Sequence, residues 1–449
     1  MRYLVFSFLF FLSCEAYAMN VQEMISARGI SFWLVEKHDV PVASIHFAWK
    51  GGVETDPPAQ QGLAKLATAM LMEGAGDLDA TAFQGQLADH GISLNIDATR
   101  DYIQGQLYAL TADMPKAIDL TQLALTKPRL EAEAFTRTRA QQLSSIKQSM
   151  AEPDWQARYR LMQTVFGGHP YALRGAGTAT TLATIGIDDV KTFYLSHIAR
   201  DNLHVVVVGD MTADNAKTMV DQLFGALPDK STVPTVPQAT WPSRESPTGQ
   251  TIWVKRKGAQ TIWQWALPGV DDDDPDWFAA NVVNYVWGGG GFSSRLMQEV
   301  REEQGLTYGI GTGLSAMEHG NVWMGKAALA DDKVSHAMTY VQGMIARLHQ
   351  GGLTQDEVDG AKTYLINSLM LDLTSSRGMA QVLLDWKLSG RAAGYLAERT
   401  QGLQAVTLEH ANRVAKKMLD PAAMLSVLVG SPPSLPPGVT AKEALWQNE

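Results

Sequence analysis

Ten histidines and one cysteine are the obvious raw material for chemistry in this 449-residue chain, and their spacing disqualifies most of it. None of the ten histidines falls into an H-x-x-E-H, H-x-x-x-H or similar helical ligand spacing. The nearest pair, His197 and His204, straddles an expected helix end and strand. A histidine-built metal site is therefore not expected. Asp271, Asp272, Asp273 and Asp274 form a tempting cation cluster, but they precede Pro275 and a helical pattern. Acidic residues there complement the positive end of a helix, so a solvated helix start is the expectation. Gly288, Gly289, Gly290 and Gly291 could cradle phosphate, yet no Lys-Ser or Lys-Thr follows. The run leads instead to Phe292, Ser293, Ser294, Arg295 and Leu296, which suits a tight turn into a helix. Beyond it, Arg301 falls in the last turn of that helix and Gly305 can reverse the chain, so a returning strand would carry Tyr308 alongside Arg301. In isolation such an Arg is a dipole partner and such a Tyr a core residue.

Composition narrows the partners. The chain is 45% hydrophobic and 19% charged, an ordinary globular balance that excludes collagen, coiled-coil arrays and long-range disorder. Its 37 basic residues are outnumbered by 47 acidic ones, for a formal charge of −10, and no basic stripe breaks that balance. Nucleic acid is not an expected partner. The lone Cys14 lies in residues 1–18, where Arg2 precedes an apolar stretch too short to span a bilayer and Ala16-Tyr17-Ala18 offers a signal-peptidase site. Export with cleavage after Ala18 is the expectation, giving a periplasmic or secreted chain with no transmembrane helix. The alternative is lipid anchoring through Cys14, because Phe11-Leu12-Ser13-Cys14 loosely resembles a lipobox.

The elements that would position any site repeat. A Pro-rich stretch at residues 229–249 reads as a linker between residues 19–228 and residues 250–449. Each half opens with an apolar strand pair, 30–35 with 42–49 and 251–254 with 261–265. Each closes on a run ending in glycine, at Gly209 and Gly430. The offset is 220 residues from Trp33 to Trp253 and 221 from Gly209 to Gly430, which suggests two homologous α+β domains in one register. Leu63, Leu66, Ala67 and Met70 mark the buried face of a helix starting near Gly62, and residues 131–150 form a longer helix striped by Leu143, Ile146 and Met150. Phe292, Leu296 and Val300 are expected to share one face of the helix that Gly305 ends, with a strand at 306–310.

The segment GGGGFSSRLMQEVREEQGLTYGIG, residues 288–311, resembles the C-terminal signature of the pitrilysin and insulinase type of zinc metallopeptidases, the inverzincins. Residues 166–211 resemble the close of that family's N-terminal domain. Active members carry H-x-x-E-H on the helix after Gly-Leu-Ala, with two zinc-binding His and a general-base Glu. Here Gly62-Leu63-Ala64 is followed by Lys65 and Ala69 at the ligand positions and Thr68 at the base position, while the third ligand position falls on Ser145. The resemblance therefore implies no zinc in this chain. It also implies that Arg301 and Tyr308 match the pair that stabilises the substrate carbonyl as it becomes an oxyanion, and that Gly288, Gly289, Gly290, Gly291 and Phe292 line the peptide path.

The expected fold is α+β, with two tandem homologous domains, each an antiparallel-rich sheet packed with helices, together forming half of a clam-shell chamber. The expected function is that of a non-catalytic subunit of a heteromeric zinc peptidase, enclosing peptides and lending Arg301 and Tyr308 to a homologous zinc-bearing partner. A purely structural subunit, or a peptide-binding module without peptidase activity, is the alternative.

Overall fold

The computed structural model describes residues 19–242, 251–435 and 441–444. Residues 1–18 with Cys14, and residues 243–249 of the Pro-rich stretch, lie outside the described residues. Strands β1 (Gln22–Ile25), β2 (Ser31–Glu36) and β3 (Val42–Lys50) are followed by a small ribbon, β4 (Gly74–Ala75) and β5 (Leu78–Asp79), and then by β6 (Ser93–Ala98), β7 (Tyr102–Leu110) and β8 (Leu203–Gly209). The second half contributes β9 (Thr251–Lys255), β10 (Thr261–Pro268), β11 (Thr307–Met317), β12 (Gly320–Leu329), β13 (Leu425–Gly430) and β14 (Ala441–Ala444). The two six-stranded sheets run β1-β2-β8-β3-β7-β6 and β14-β9-β13-β10-β12-β11, so β6 and β11 are corresponding edges. Each sheet is mostly antiparallel, with parallel pairing confined to β2-β8 in one and to β9-β13 and β9-β14 in the other. This is the expected two-domain architecture of helices packed on antiparallel-rich sheets.

The register shows the duplication and corrects its alignment. Glu36 pairs with Gly209, and Lys255 pairs with Gly430. Counting back from those pairs makes Trp33 the counterpart of Ile252, not of Trp253. A one-residue slip in a strand changes the face on which a side chain lands. Trp33 and Val35 accordingly pack on the helix Ser376–Leu388, which belongs to the second half, whereas Trp253 packs with the helices of its own half. Ile252 and Val254, the true counterparts, pack on the helix Pro153–Val165 of the first half. Each sheet is thus covered on one face by its own helices and on the other by a helix lent from the opposite half. Burial on both faces explains why Val205, Val206, Val207 and Val208 form an unbroken apolar run instead of an alternating one.

A second shared device lies next to it. Gly105 on β7 pairs with Phe47 on β3, and Gly325 on β12 pairs with Trp265 on β10. A Cβ at either glycine would lie 1.9 Å from the Phe47 ring or 2.1 Å from the Trp265 ring, so each sheet reserves a hole for one cross-strand aromatic.

The β11–β12 hairpin locks the halves together. Glu318 at its tip pairs with Lys50 Nζ at 2.7 Å and accepts the Tyr102 hydroxyl at 2.5 Å, while His319 N–H donates to the Tyr171 hydroxyl at 2.9 Å. The aspartate run sits at the helix start, where Asp274 accepts the Asp276 N–H through its side chain at 2.6 Å and the Trp277 N–H through its carbonyl at 2.9 Å. The helix Trp277–Asn284 has Asp276 at its cap position, and Asp276 is held by Arg413, Lys417 and His410. Asp272 instead meets Arg391, and Asp271 meets Asn321.

Candidate functional site

The helix Leu63–Met70 forms as its pattern predicts, with Leu63, Leu66, Ala67 and Met70 all buried. Asp56 fixes its start by accepting the backbone N–H groups of Gly62 and Ala64 at 2.8 and 2.9 Å. Burial pushes the Asp56 carboxyl up to about 7 against those two donors. The helix is regular, so the family's ligand geometry is present in the backbone and only the side chains differ. Lys65 Nζ is committed to Asp97 on β6, at 2.6 and 2.9 Å from its two oxygens. Ala69 has no donor atom. Thr68 is buried and donates its hydroxyl back to the carbonyls of Ala64 and Lys65 at 3.0 and 3.1 Å, and an alcohol is too weak a base to take a proton from water. Ser145 is exposed on the helix Ala132–Ala151, which Gln142 ties to the carbonyl of Gly62 at 3.0 Å. An ammonium, a methyl and a hydroxyl are not a zinc ligand set. Among the described residues no group of three or more His, Cys, Asp and Glu could hold a metal ion.

The second half builds its candidate residues on irregular backbone. After the helix Trp277–Asn284 the chain widens into a π-helical turn, Tyr285–Gly289. Gly288 is buried there, and a Cβ on it would lie 2.6 Å from the Thr312 hydroxyl of β11. Only glycine lets the turn press against that strand. Gly289 and Gly290 are crowded in the same way by Asn284 and Tyr285, while Gly291 faces open space with a φ of +56° and reverses the chain. Tight turning is what these glycines do. Phe292 does not join Leu296 and Val300 on a buried face. It belongs to the preceding short turn, Gly291–Ser293, and is 63% exposed, because the extended backbone at Ser294 interrupts the helical period.

The following segment, Leu296–Glu303, is again π-helical, with Gln304 N–H donating to the Glu299 carbonyl at 3.0 Å. It ends at Gly305, whose φ is +59° as its position predicts. Arg301 lies in its last turn with its guanidinium 4.7 Å above the Phe292 ring. In β11, Thr307 pairs with Leu329 but Ile310 pairs with Ala327, so one residue is extra and Tyr308 and Gly309 form a bulge. The Thr307 hydroxyl fixes it, donating to the Ala328 carbonyl at 2.7 Å and accepting Gly309 N–H at 3.1 Å. Tyr308 is 86% exposed, far more than a strand tyrosine packed in a core. Arg301 and Tyr308 line one concavity of about 470 Å³. An adjoining groove of about 690 Å³ runs along β11 and is lined by Gly288, Gly289 and Gly291 from the turn. Gly290 and Phe292 are not in its lining. π-helical turns and bulges are concentrated at functional sites, where they re-aim a side chain.

Asp97 was not legible as a site residue. A lysine in a metal-ligand position implies a counter-ion, but not which carboxylate supplies it.

Two sheet-and-helix domains, one with Lys65, Ala69 and Ser145 at the ligand positions and the other with a half-buried Arg301 beside an exposed Tyr308, define a peptidase scaffold with substituted metal-ligand positions. Residues 32–179 match the insulinase family, peptidase family M16, and residues 184–365 match the peptidase M16 inactive domain. The chain belongs to this family. It is 27% identical over 360 residues, 80% of this chain and 82% of the other, to a Helicobacter pylori protein called non-peptidase homolog YmxG. It is 24% identical over 380 residues, 84% of this chain and 82% of the other, to a Streptomyces coelicolor protein called an uncharacterized zinc protease. The crystal structure of a peptidase M16 inactive domain from Pseudomonas fluorescens superposes with a TM-score of 0.86 at 28% identity, covering 93% of this chain and 99% of that one. A protease from Helicobacter pylori shares the fold, with a TM-score of 0.84 at 18% identity over 92% of this chain and 100% of that one.

Proposed function

We propose that this chain is the non-catalytic subunit of a two-component zinc peptidase of the periplasm or extracellular space, and that it supplies Arg301 and Tyr308 to the site of a homologous partner. The observation that carries the proposal is the placement of both residues on backbone irregularities that aim them into one open concavity. The leader-like residues 1–18 support export, with anchoring through Cys14 as the alternative outcome. Zinc in the partner would provide the activated water, and this chain holds none of that chemistry. Its own residues act on the substrate. A peptide lying along β11 meets backbone amides and the glycine-lined turn, while the Tyr308 hydroxyl and the Arg301 guanidinium donate to the scissile carbonyl oxygen as it gains negative charge. Phe292 positions the guanidinium by stacking beneath it.

The test is kinetic. The partner is obtained by co-purification from the native host, the pair is reconstituted, and assembly is checked by gel filtration. Tyr308→Phe removes one hydroxyl and keeps the ring, so turnover should fall by roughly 10²-fold to 10³-fold with complex formation retained. Turnover within about twofold of the parent pair would instead mean that the subunit is purely structural. The chain alone should carry no stoichiometric zinc and cleave no peptide, checked by metal analysis and a fluorogenic peptide panel.

A further inference from the structure

The helix Val334–Gly351 turns one face to the core of the second half and another to the segment that carries Arg301. Val334, Val341 and Leu348 repeat every seven residues and are buried. One position before each of them stand Lys333, Tyr340 and Arg347. Seven residues make almost two full turns, so these three side chains form a second line along the helix. All three reach the segment Leu296–Glu303 or the glycine that reverses the chain after it. Arg347 pairs with Glu299, the Tyr340 hydroxyl donates to the same carboxylate at 3.3 Å, and the Arg347 guanidinium lies 5.3 Å over the Tyr340 ring. Lys333 Nζ donates to the Gly305 carbonyl at 2.7 Å.

This line serves the segment more than its own helix. Lys333 stands at the N-terminal cap of an 18-residue helix, the positive end, where an ammonium is disfavoured. The Gly305 carbonyl lies past the C-terminal, negative end of the Arg301 segment, and the bond to it offsets that placement. The segment in turn needs support from outside. π-helical turns are rare, and here Glu302, Glu303, Gln304 and Gly305 are all exposed, so no apolar packing covers the last turn. The turn closes through the N–H groups of Gln304, Gly305 and Leu306, which donate to the carbonyls of Glu299, Arg301 and Val300 at 3.0, 3.1 and 3.0 Å. Backbone bonds in so exposed a turn open locally unless something holds its ends. Glu299 and Gly305 are the two points held, and Arg301 lies between them.

We propose that Lys333, Tyr340 and Arg347 are positioning residues for the Arg301–Tyr308 pair: they clamp the π-helical segment at Glu299 and at the Gly305 turn, and so fix the guanidinium relative to the hydroxyl. The pair's action on a substrate carbonyl rests on the reading under Proposed function. Glu299, Tyr340 and Arg347 are not in the lining of the concavity that holds Arg301 and Tyr308, so their influence on a substrate there passes through the backbone. Lys333 is in that lining, and its variants are therefore judged by backbone exchange alone.

Amide hydrogen exchange of the full chain, without partner, reads the clamp directly. Arg347→Met and Glu299→Gln each break the ion pair from a partly exposed position, and Lys333→Met removes the bond to Gly305. Each should speed exchange of the Gln304, Gly305 and Leu306 amides about fivefold or more, with exchange in the first half unchanged. The double variant Glu299→Gln/Arg347→Met should exchange no faster than the faster single variant, because both act through one bond. Lys333→Arg keeps the charge and a donor and should exchange like the parent. In the reconstituted pair, Arg347→Met and Glu299→Gln should lower kcat about fivefold or more with KM within about twofold, since aim matters most once charge develops on the carbonyl oxygen. Unchanged exchange in the three single variants would overturn the clamp. Turnover lost in Tyr308→Phe but kept in Arg347→Met and Glu299→Gln would overturn the positioning role alone. Turnover kept in all three would overturn the shared-site reading, and the positioning role with it.

Discussion

Strand β6 closes the first sheet and β11 closes the second at the corresponding position, and a short helical segment packs beside each. In the first half that segment, Leu63–Met70, is a regular α-helix, and its half-buried Lys65 is tied down to Asp97 on the edge strand. In the second half the segment Leu296–Glu303 is π-helical, the edge strand is bulged, and Tyr308 projects into solvent. The contrast teaches where each half stores its chemistry. Ligand geometry on a regular helix depends on side chains alone, so changes at Lys65, Thr68 and Ala69 leave the fold intact. The aim of Arg301 and Tyr308 is written into backbone irregularities, and these persist only where Gly288, Gly291, Gly305 and Thr307 permit them.

The lent helices offer the largest test of how far the halves are alike. Leu161 and Leu383 are fully buried, each against the sheet of the opposite half. Leu161→Ala and Leu383→Ala should each cost about 2 to 5 kcal/mol in urea unfolding, and both should shift a single cooperative transition. Two separable transitions would break the picture of halves that complete each other.

Glu54 sharpens the comparison by its pH dependence. Burial, and then the neighbouring Asp101, push its carboxyl from the ordinary glutamate range up to about 8. Below about pH 4.5 the native and unfolded states both hold the proton, and Glu54 then costs the fold nothing. As pH rises toward 8 the unfolded chain releases a proton that the native chain keeps, so stability falls, levelling off above pH 8. Glu54→Gln lacks this loss. Melting temperatures at pH 5, 7 and 9 should show the variant gaining on the parent as pH rises, and a constant difference would mean that Glu54 is charged and paired in the native state.

The smallest effect is expected at Lys65. Its pair with Asp97 is partly exposed on both sides, so Lys65→Met should change stability by less than about 1 kcal/mol, and less again in high salt. A larger loss would show that the substituted ligand position has become structural.

The sequence by itself determined which residues are buried and where segments end. The runs ending in Gly209 and Gly430, the apolar face of the helix after Gly62 and the stop at Gly305 are local signals, set by periodicity and by glycine's access to positive φ. The family's ligand positions were equally legible, because they lie on one regular helix and can be counted. Tertiary structure decided what those residues are buried against. The pattern of Pro153–Val165 marks an apolar face, but nothing in it says that this face covers the opposite sheet. The one-residue slip between Trp33 and Trp253 was hidden for the same reason: both tryptophans are apolar, and only strand register assigns them to different faces. Phe292 missed its expected face because the chain changes helical type around it, and Asp276, just beyond the aspartate run, is the anchored acid because Arg413 and Lys417 arrive from a distant helix. Periodicity records how a side chain is hidden from water, whereas its partner is fixed by long-range packing that residue spacing does not carry.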